Sequence, residues 1–142
     1  MRGFLIIVWV SMILVLTCTS SFTKLVEYGQ IQFQWNHQPN FSHLLLPLPV
    51  EISKSFLLQK FGHIFVFMLL TLMLQSKYKS KRTVLVIALS LSVITELLQL
   101  FFHRDGRIFD IGFDTIGILV ALAISTIFTP ADQTKAPIKR VP

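Results

Sequence analysis

Residues 83–102 read TVLVIALSLSVITELLQLFF, and this stretch decides what kind of protein the chain is. It has the length of one membrane-crossing helix, about 20 residues for a hydrocarbon core of about 30 Å. Its one charge is Glu96, with Gln99 three positions further on. A carboxylate inside lipid costs about 2.5 kcal/mol or more, and such residues face a partner or a water-filled cavity. Packing alone would be better served by leucine, so Glu96 is read as required for activity.

The surrounding composition agrees with a membrane setting. The chain has 142 residues, 53% hydrophobic and only 14% charged, where a soluble domain carries about 25% charged residues. Its mean hydropathy is +0.67. The net charge of +6 comes from short clusters beside the apolar runs, which is a topology signal, and no basic stripe with interleaved aromatics points to a nucleic acid. Cys18 is the single cysteine, so an intrachain disulfide and a cysteine metal cluster are excluded.

Four apolar segments are expected to span, at about residues 3–22, 55–75, 83–102 and 111–128. The predicted fold is therefore an all-α integral membrane protein, a single domain over residues 1–128 with four transmembrane helices in an antiparallel bundle. The first segment follows Arg2 and has an alternative reading as a signal peptide, or as a lipoprotein leader with Cys18 at its site. Its length and the lack of a small-x-small cleavage pattern favour an uncleaved span. The tail, residues 129–142, carries three prolines and no apolar period, and is expected to be basic and disordered.

Lys77, Lys79, Lys81 and Arg82 crowd the link between spans two and three, while Lys135, Lys139 and Arg140 lie in the tail and Arg2 at the start. An even number of crossings puts these groups on one side, and the positive-inside rule makes that side cytoplasmic. Both termini are expected there, in a bacterial cytoplasmic membrane. In the long external link, Ile31, Phe33 and Trp35 alternate with Gln32, Gln34 and Asn36. That is a strand-like pattern, but a lone strand lacks a pairing partner, so Tyr28, Trp35 and Phe41 are read as headgroup-level aromatics.

Short links make spans two to four alternate in direction, so the start of two, the end of three and the start of four share one membrane face. Lys60 and His63 lie one turn apart. Glu96, Gln99 and His103 fall at i, i+3 and i+7, and Asp110 and Asp114 at i and i+4, so each set lines one helix face. The expected result is a polar pocket opening outward, with Lys60 and Arg104 neutralising Glu96 and Asp114. Gly117, Ala121 and Ser125 repeat every four residues, a small-residue seam for close helix approach.

These motifs resemble the VanZ-like family of small bacterial membrane proteins. That pattern runs Lys-x-x-His with a following aromatic (Lys60, His63, Phe67), then Glu-x-x-Gln (Glu96, Gln99). After a short loop come an arginine, an aspartate, a second acidic or amide residue and a glycine, matched by Arg104, Asp110, Asp114 and Gly117. Arg107 rivals Arg104, because Asp105-Gly106-Arg107 looks like the Pro-Gly-Arg of many members. The resemblance implies a cell-envelope setting, with a link to resistance against the glycopeptide teicoplanin.

Two functions compete. In the first, the pocket binds a lipid headgroup, a cell-wall precursor or a lipoglycopeptide through Lys60 and Arg104. In the second, the protein is an integral-membrane enzyme on a lipid-linked substrate, with Glu96 and His63 as acid/base pair. Neither Ser92 nor Thr95 has an evident activating partner. A transporter would need to oligomerise, since four spans supply no internal repeat. No cofactor is expected, and the spacing of His63, Glu96 and Asp114 over three spans is not diagnostic of a metal.

Overall fold

The computed structural model describes residues 1–48, 51–104 and 106–128; the proline-containing tail falls outside the described residues. The element order is α1 (Arg2–Cys18), α2 (Phe22–Tyr28), a short 3₁₀ turn (Phe41–Leu45), α3 (Lys54–Lys77), α4 (Lys81–Phe101) and α5 (Ile108–Phe128). No strand occurs among the described residues.

Three helices, α3, α4 and α5, are long and apolar enough to cross a membrane, whereas α1 is a shorter apolar helix. At about 1.5 Å per residue, its 17 residues extend about 25 Å, less than a hydrocarbon core. The first helix was expected to reach residue 22; it stops at Cys18, and Thr19 is extended. Hydroxyl side chains explain the early stop, since they compete for backbone groups that a helix would use. The Thr19 hydroxyl donates to the Val15 carbonyl at 2.9 Å, and Ser21 caps the separate helix α2 by accepting from the Lys24 N–H. Serines also start the longer helices: Ser53 accepts from the Phe56 N–H and Ser80 from the Thr83 N–H, each satisfying a helix-end donor.

Contacts at both ends fix the directions. Arg2 donates to the Ser76 carbonyl and Trp9 Nε1 to the Val66 carbonyl, so α1 runs antiparallel along α3. Lys81 donates to the Thr126 hydroxyl, so α5 returns antiparallel to α4. Helices α3 and α5 therefore run parallel, and their interface is the largest in the bundle. It closes at Gly117, where an added Cβ would run into the backbone of Ile64. Lipid gives apolar side chains little reason to leave it, so helix association rests on such close approach and packing. Ala121 extends the seam and is fully buried, and its carbonyl accepts from Gln75 Nε2 at 3.2 Å. Phe67, Leu70, Leu74, Val84, Ala88 and Ile118 complete the core, while Phe61, Phe65, Val86, Leu119 and Ile127 are exposed on the outside.

The link after α2 packs on the end of α4. Asn36 N–H donates to the Phe101 carbonyl at 2.7 Å, and its side-chain amide to Leu100 O, which satisfies carbonyls the helix leaves open. Trp35 lies on Phe101 and Phe102 at 5.4 and 5.3 Å between ring centres, and Phe41 on Phe101 at 6.3 Å. Within the alternating stretch, Phe33 and Trp35 lie against the aromatic end of α4, while Ile31, Phe33 and Trp35 all remain about half exposed.

Candidate functional site

Four chain segments meet at the end of the bundle opposite the lysine-rich link between α3 and α4. Lys60 and His63 come from α3, Ser92, Glu96 and Gln99 from α4, Asp110 and Asp114 from α5, and Arg104 and Arg107 from the α4–α5 connection. Lys60, Ser92, Glu96, Gln99, Asp110 and Asp114 are all buried, with Glu96 and Asp114 at 0% exposure.

The ion pairs differ from those expected. Lys60 donates to Asp110 Oδ1 rather than neutralising Glu96 or Asp114. Both residues lie near the starts of helices that run parallel, so the Lys60 stem has a same-level partner on α5. Asp114 pairs with His63, whose Nδ1 is 2.8 Å from Oδ1. Glu96 Oε1 lies 4.0 Å from the same nitrogen. Arg104 donates to the Leu16 carbonyl at 3.2 Å, tying the connection to the end of α1.

Glu96 is held by one hydrogen bond local to α4 and one that only the fold supplies. Gln99 Nε2 donates to Oε1 at 3.1 Å, and the Arg107 backbone N–H donates to Oε2 at 2.9 Å. The second bond depends on how α4 ends. His103 takes a left-handed conformation with φ of 54°, the Phe102 and Arg104 N–H groups both donate to the Gln99 carbonyl, and the chain turns back along α4. Gly106 then lies against the helix so closely that an added Cβ would collide with the Glu96 carbonyl. That glycine is what lets the next N–H reach a buried carboxylate. Arg107 thus contributes through its backbone, while Arg104 and Arg107 both reach the outer polar cleft.

Ser92 has no activating partner beside it in the sequence, and the fold supplies one from α5. Its hydroxyl donates to Asp114 Oδ2 at 2.7 Å. The available signal was position: Ser92, Glu96 and Gln99 fall at i, i+4 and i+7 on α4, one helix face. Gly117 lies outside the polar cluster and serves the α3–α5 approach.

Several clefts border the cluster, and two of them share part of their walls. One, of about 120 Å³, is largely apolar, with Ile13, Leu16, Val66 and Phe67 on its walls and Gln59, His63, Gln99 and Arg104 at its polar end. The other, of about 250 Å³, is polar and includes Gln59, Lys60, His103, Arg104, Arg107 and Asp110. Gln59 and Arg104 border both.

The sequence profile described as VanZ/LLP1 matches residues 3–129. The chain belongs to the VanZ/LLP1 family. It is 34% identical over 119 residues to the uncharacterized membrane protein YwnJ of Bacillus subtilis (strain 168), an alignment covering 83% of this chain and 85% of that protein. No solved structure matches. The VanZ/LLP1 assignment makes this a membrane protein with several predicted spans, and lipid is the environment its apolar exterior fits.

Proposed function

We propose that this VanZ/LLP1 protein binds an anionic amphiphile of the bacterial envelope, a lipid headgroup or cell-wall precursor, at an outward-facing site. The observation that carries this reading is the pair of clefts sharing Gln59 and Arg104. The apolar cleft suits a hydrocarbon chain. Lys60, paired with Asp110, and Arg104 and Arg107 border the polar cleft, and guanidinium groups match phosphate or carboxylate geometry. In the same reading α1 is the fourth span, the lysine-rich link is cytoplasmic, and Glu96 braces the Arg107 segment that forms the cationic wall. The link to teicoplanin resistance follows, because lipoglycopeptides and lipid-linked precursors both present anionic groups at this depth.

The test is lipid extraction and mass spectrometry on the purified protein. Wild type is expected to retain an anionic lipid or lipid-linked precursor that Glu96→Ala, inserted at the same level, does not. In a resistant strain Glu96→Ala abolishes the phenotype; undiminished lipid retention and full resistance in that variant would remove the proposal.

A second reading, an enzyme acting on a lipid-linked substrate, is favoured by the His63 to Asp114 contact at 2.8 Å. A carboxylate on one ring nitrogen orients the imidazole for proton transfer at the other. His63 and Asp114 are then the acid/base unit, in place of His63 and Glu96. Turnover of a labelled lipid precursor by wild type, lost in His63→Gln, identifies the enzyme; binding without turnover leaves the first reading.

A further inference from the structure

We propose that His63, Glu96 and Asp114 form a binding site for one divalent cation of the manganese or zinc type, with the Gln99 amide oxygen as fourth ligand. One ligand atom from each of the first three residues lies within 4.8 Å of the others, and the three come from three different helices. The inference stands apart from amphiphile binding, because the ion would be held whether or not lipid is present.

Charge is the first reason. Glu96 and Asp114 are fully buried and converge on an imidazole that carries at most one positive charge. Buried charges are paired or ligate metals, and Lys60 is engaged with Asp110.

The arrangement of the carboxylate oxygens is the second. On each acid, one oxygen accepts from a donor outside the triad: Asp114 Oδ2 from the Ser92 hydroxyl at 2.7 Å, and Glu96 Oε2 from the Arg107 N–H at 2.9 Å; Glu96 Oε1 accepts in addition from Gln99 Nε2 at 3.1 Å. The other oxygens, Asp114 Oδ1 and Glu96 Oε1, are those that face His63 Nδ1, at 2.8 and 4.0 Å. Hydrogen bonds to the outer oxygens that orient the inner ones are the outer shell a metal site uses.

Gln99 is the third reason. Its Nε2 faces Glu96 Oε1, the orientation a carboxylate demands. Its Oε1 is left buried without a hydrogen-bond partner, next to Glu96 and on the wall of the cleft that His63 also lines. An amide oxygen there can accept only a proton donor or a cation.

Two ligands on one ion with bonds of about 2.1 Å stand roughly 3.0–3.4 Å apart in octahedral or tetrahedral geometry. From 2.8 and 4.0 Å, His63 and Asp114 need to part by a few tenths of an ångström and Glu96 to close on His63 by up to about 1 Å; the two carboxylate oxygens, within 4.8 Å of each other, need to close by at most about 1.8 Å. Nitrogen and carboxylate donors without thiolate suit manganese, iron and zinc, and the cleft of about 120 Å³ ending at His63 and Gln99 provides entry.

The experiment uses the full chain in detergent, carrying a non-histidine affinity tag and stripped with chelator. Mn²⁺ is titrated by electron paramagnetic resonance and Zn²⁺ by elemental analysis after gel filtration. One ion per chain is expected, with coupling to a single histidine nitrogen in the pulsed Mn²⁺ spectrum. Glu96→Gln and Asp114→Asn each weaken binding at least about tenfold. The triple variant His37→Gln/His43→Gln/His103→Asn, with asparagine at 103 because it tolerates the left-handed backbone there, changes residues outside the bundle core and keeps both the ion and the nitrogen coupling. The proposal is overturned if monodisperse wild type holds neither ion, if the triple variant loses the coupling, or if Glu96→Gln and Asp114→Asn bind as wild type does. Should either acid variant fail to fold, wild type and the triple variant decide the matter.

Discussion

Breaking the Lys60–Asp110 pair separates folding from function. The two side chains are 6% and 1% exposed, so each charge depends on the other for compensation. Removing one partner of a buried pair costs about 3–5 kcal/mol, because the remaining charge is stranded. Two features place this pair at the lower end of that range. Asp110 sits in the first turn of α5, where the helix dipole supports a negative charge, and both residues border the polar cleft, which water can enter. Asp110→Leu and Lys60→Met should each lose roughly 3 kcal/mol. At about 2–4 °C per kcal/mol for a chain near this size, each midpoint falls by roughly 10 °C. The double variant Lys60→Met/Asp110→Leu strands no charge and should recover most of the loss, giving a coupling of at least about 2 kcal/mol. The assay is thermal unfolding in detergent, followed by fluorescence-detected gel filtration. Single variants within a few degrees of wild type, or a double variant equal to the sum of the singles, would refute the pairing as a stabilising contact. The recovered double variant still lacks the Lys60 cation, so under the proposed function it folds but retains less anionic lipid.

Other outcomes follow from the packing and from the expected topology. Gly117→Ala pushes α5 off the Ile64 backbone and should cost roughly 1–3 kcal/mol in the same assay, whereas Gly112→Ala, with open space around it, is neutral. Trp35→Ala removes two ring contacts from a residue that is 54% exposed. Its cost is roughly 1 kcal/mol, visible as faster protease cleavage of the link between α2 and α3 with the bundle intact. Orientation is checked in a chain whose one cysteine, Cys18, has been replaced by alanine. A cysteine at Gln38 should react with an impermeant reagent on whole cells and one at Lys79 only after permeabilisation; the reverse pattern would invert the topology.

The membrane class, the three long helices and the convergence of polar residues at one end were all legible in the sequence. Uninterrupted apolar length reports on lipid directly, and antiparallel connection through short links leaves little choice about which ends meet. The span boundaries read from it, 55–75, 83–102 and 111–128, differ from α3, α4 and α5 by no more than three residues at either end. The first helix came out short because hydroxyl side chains near residue 19 act through local hydrogen bonds, which an average over apolar residues does not register.

Partner choice needed the tertiary structure. Sequence periodicity assigns Lys60, His63, Glu96, Asp110 and Asp114 to helix faces, but not the rotation and depth at which those faces meet. Parallel α3 and α5, drawn together at Gly117, set Lys60 against Asp110 and His63 against Asp114. The hold on Glu96 comes from a backbone N–H that arrives only because His103 turns the chain and Gly106 can lie against α4. A backbone donor carries no residue-type signature, so that contact exists only in three dimensions.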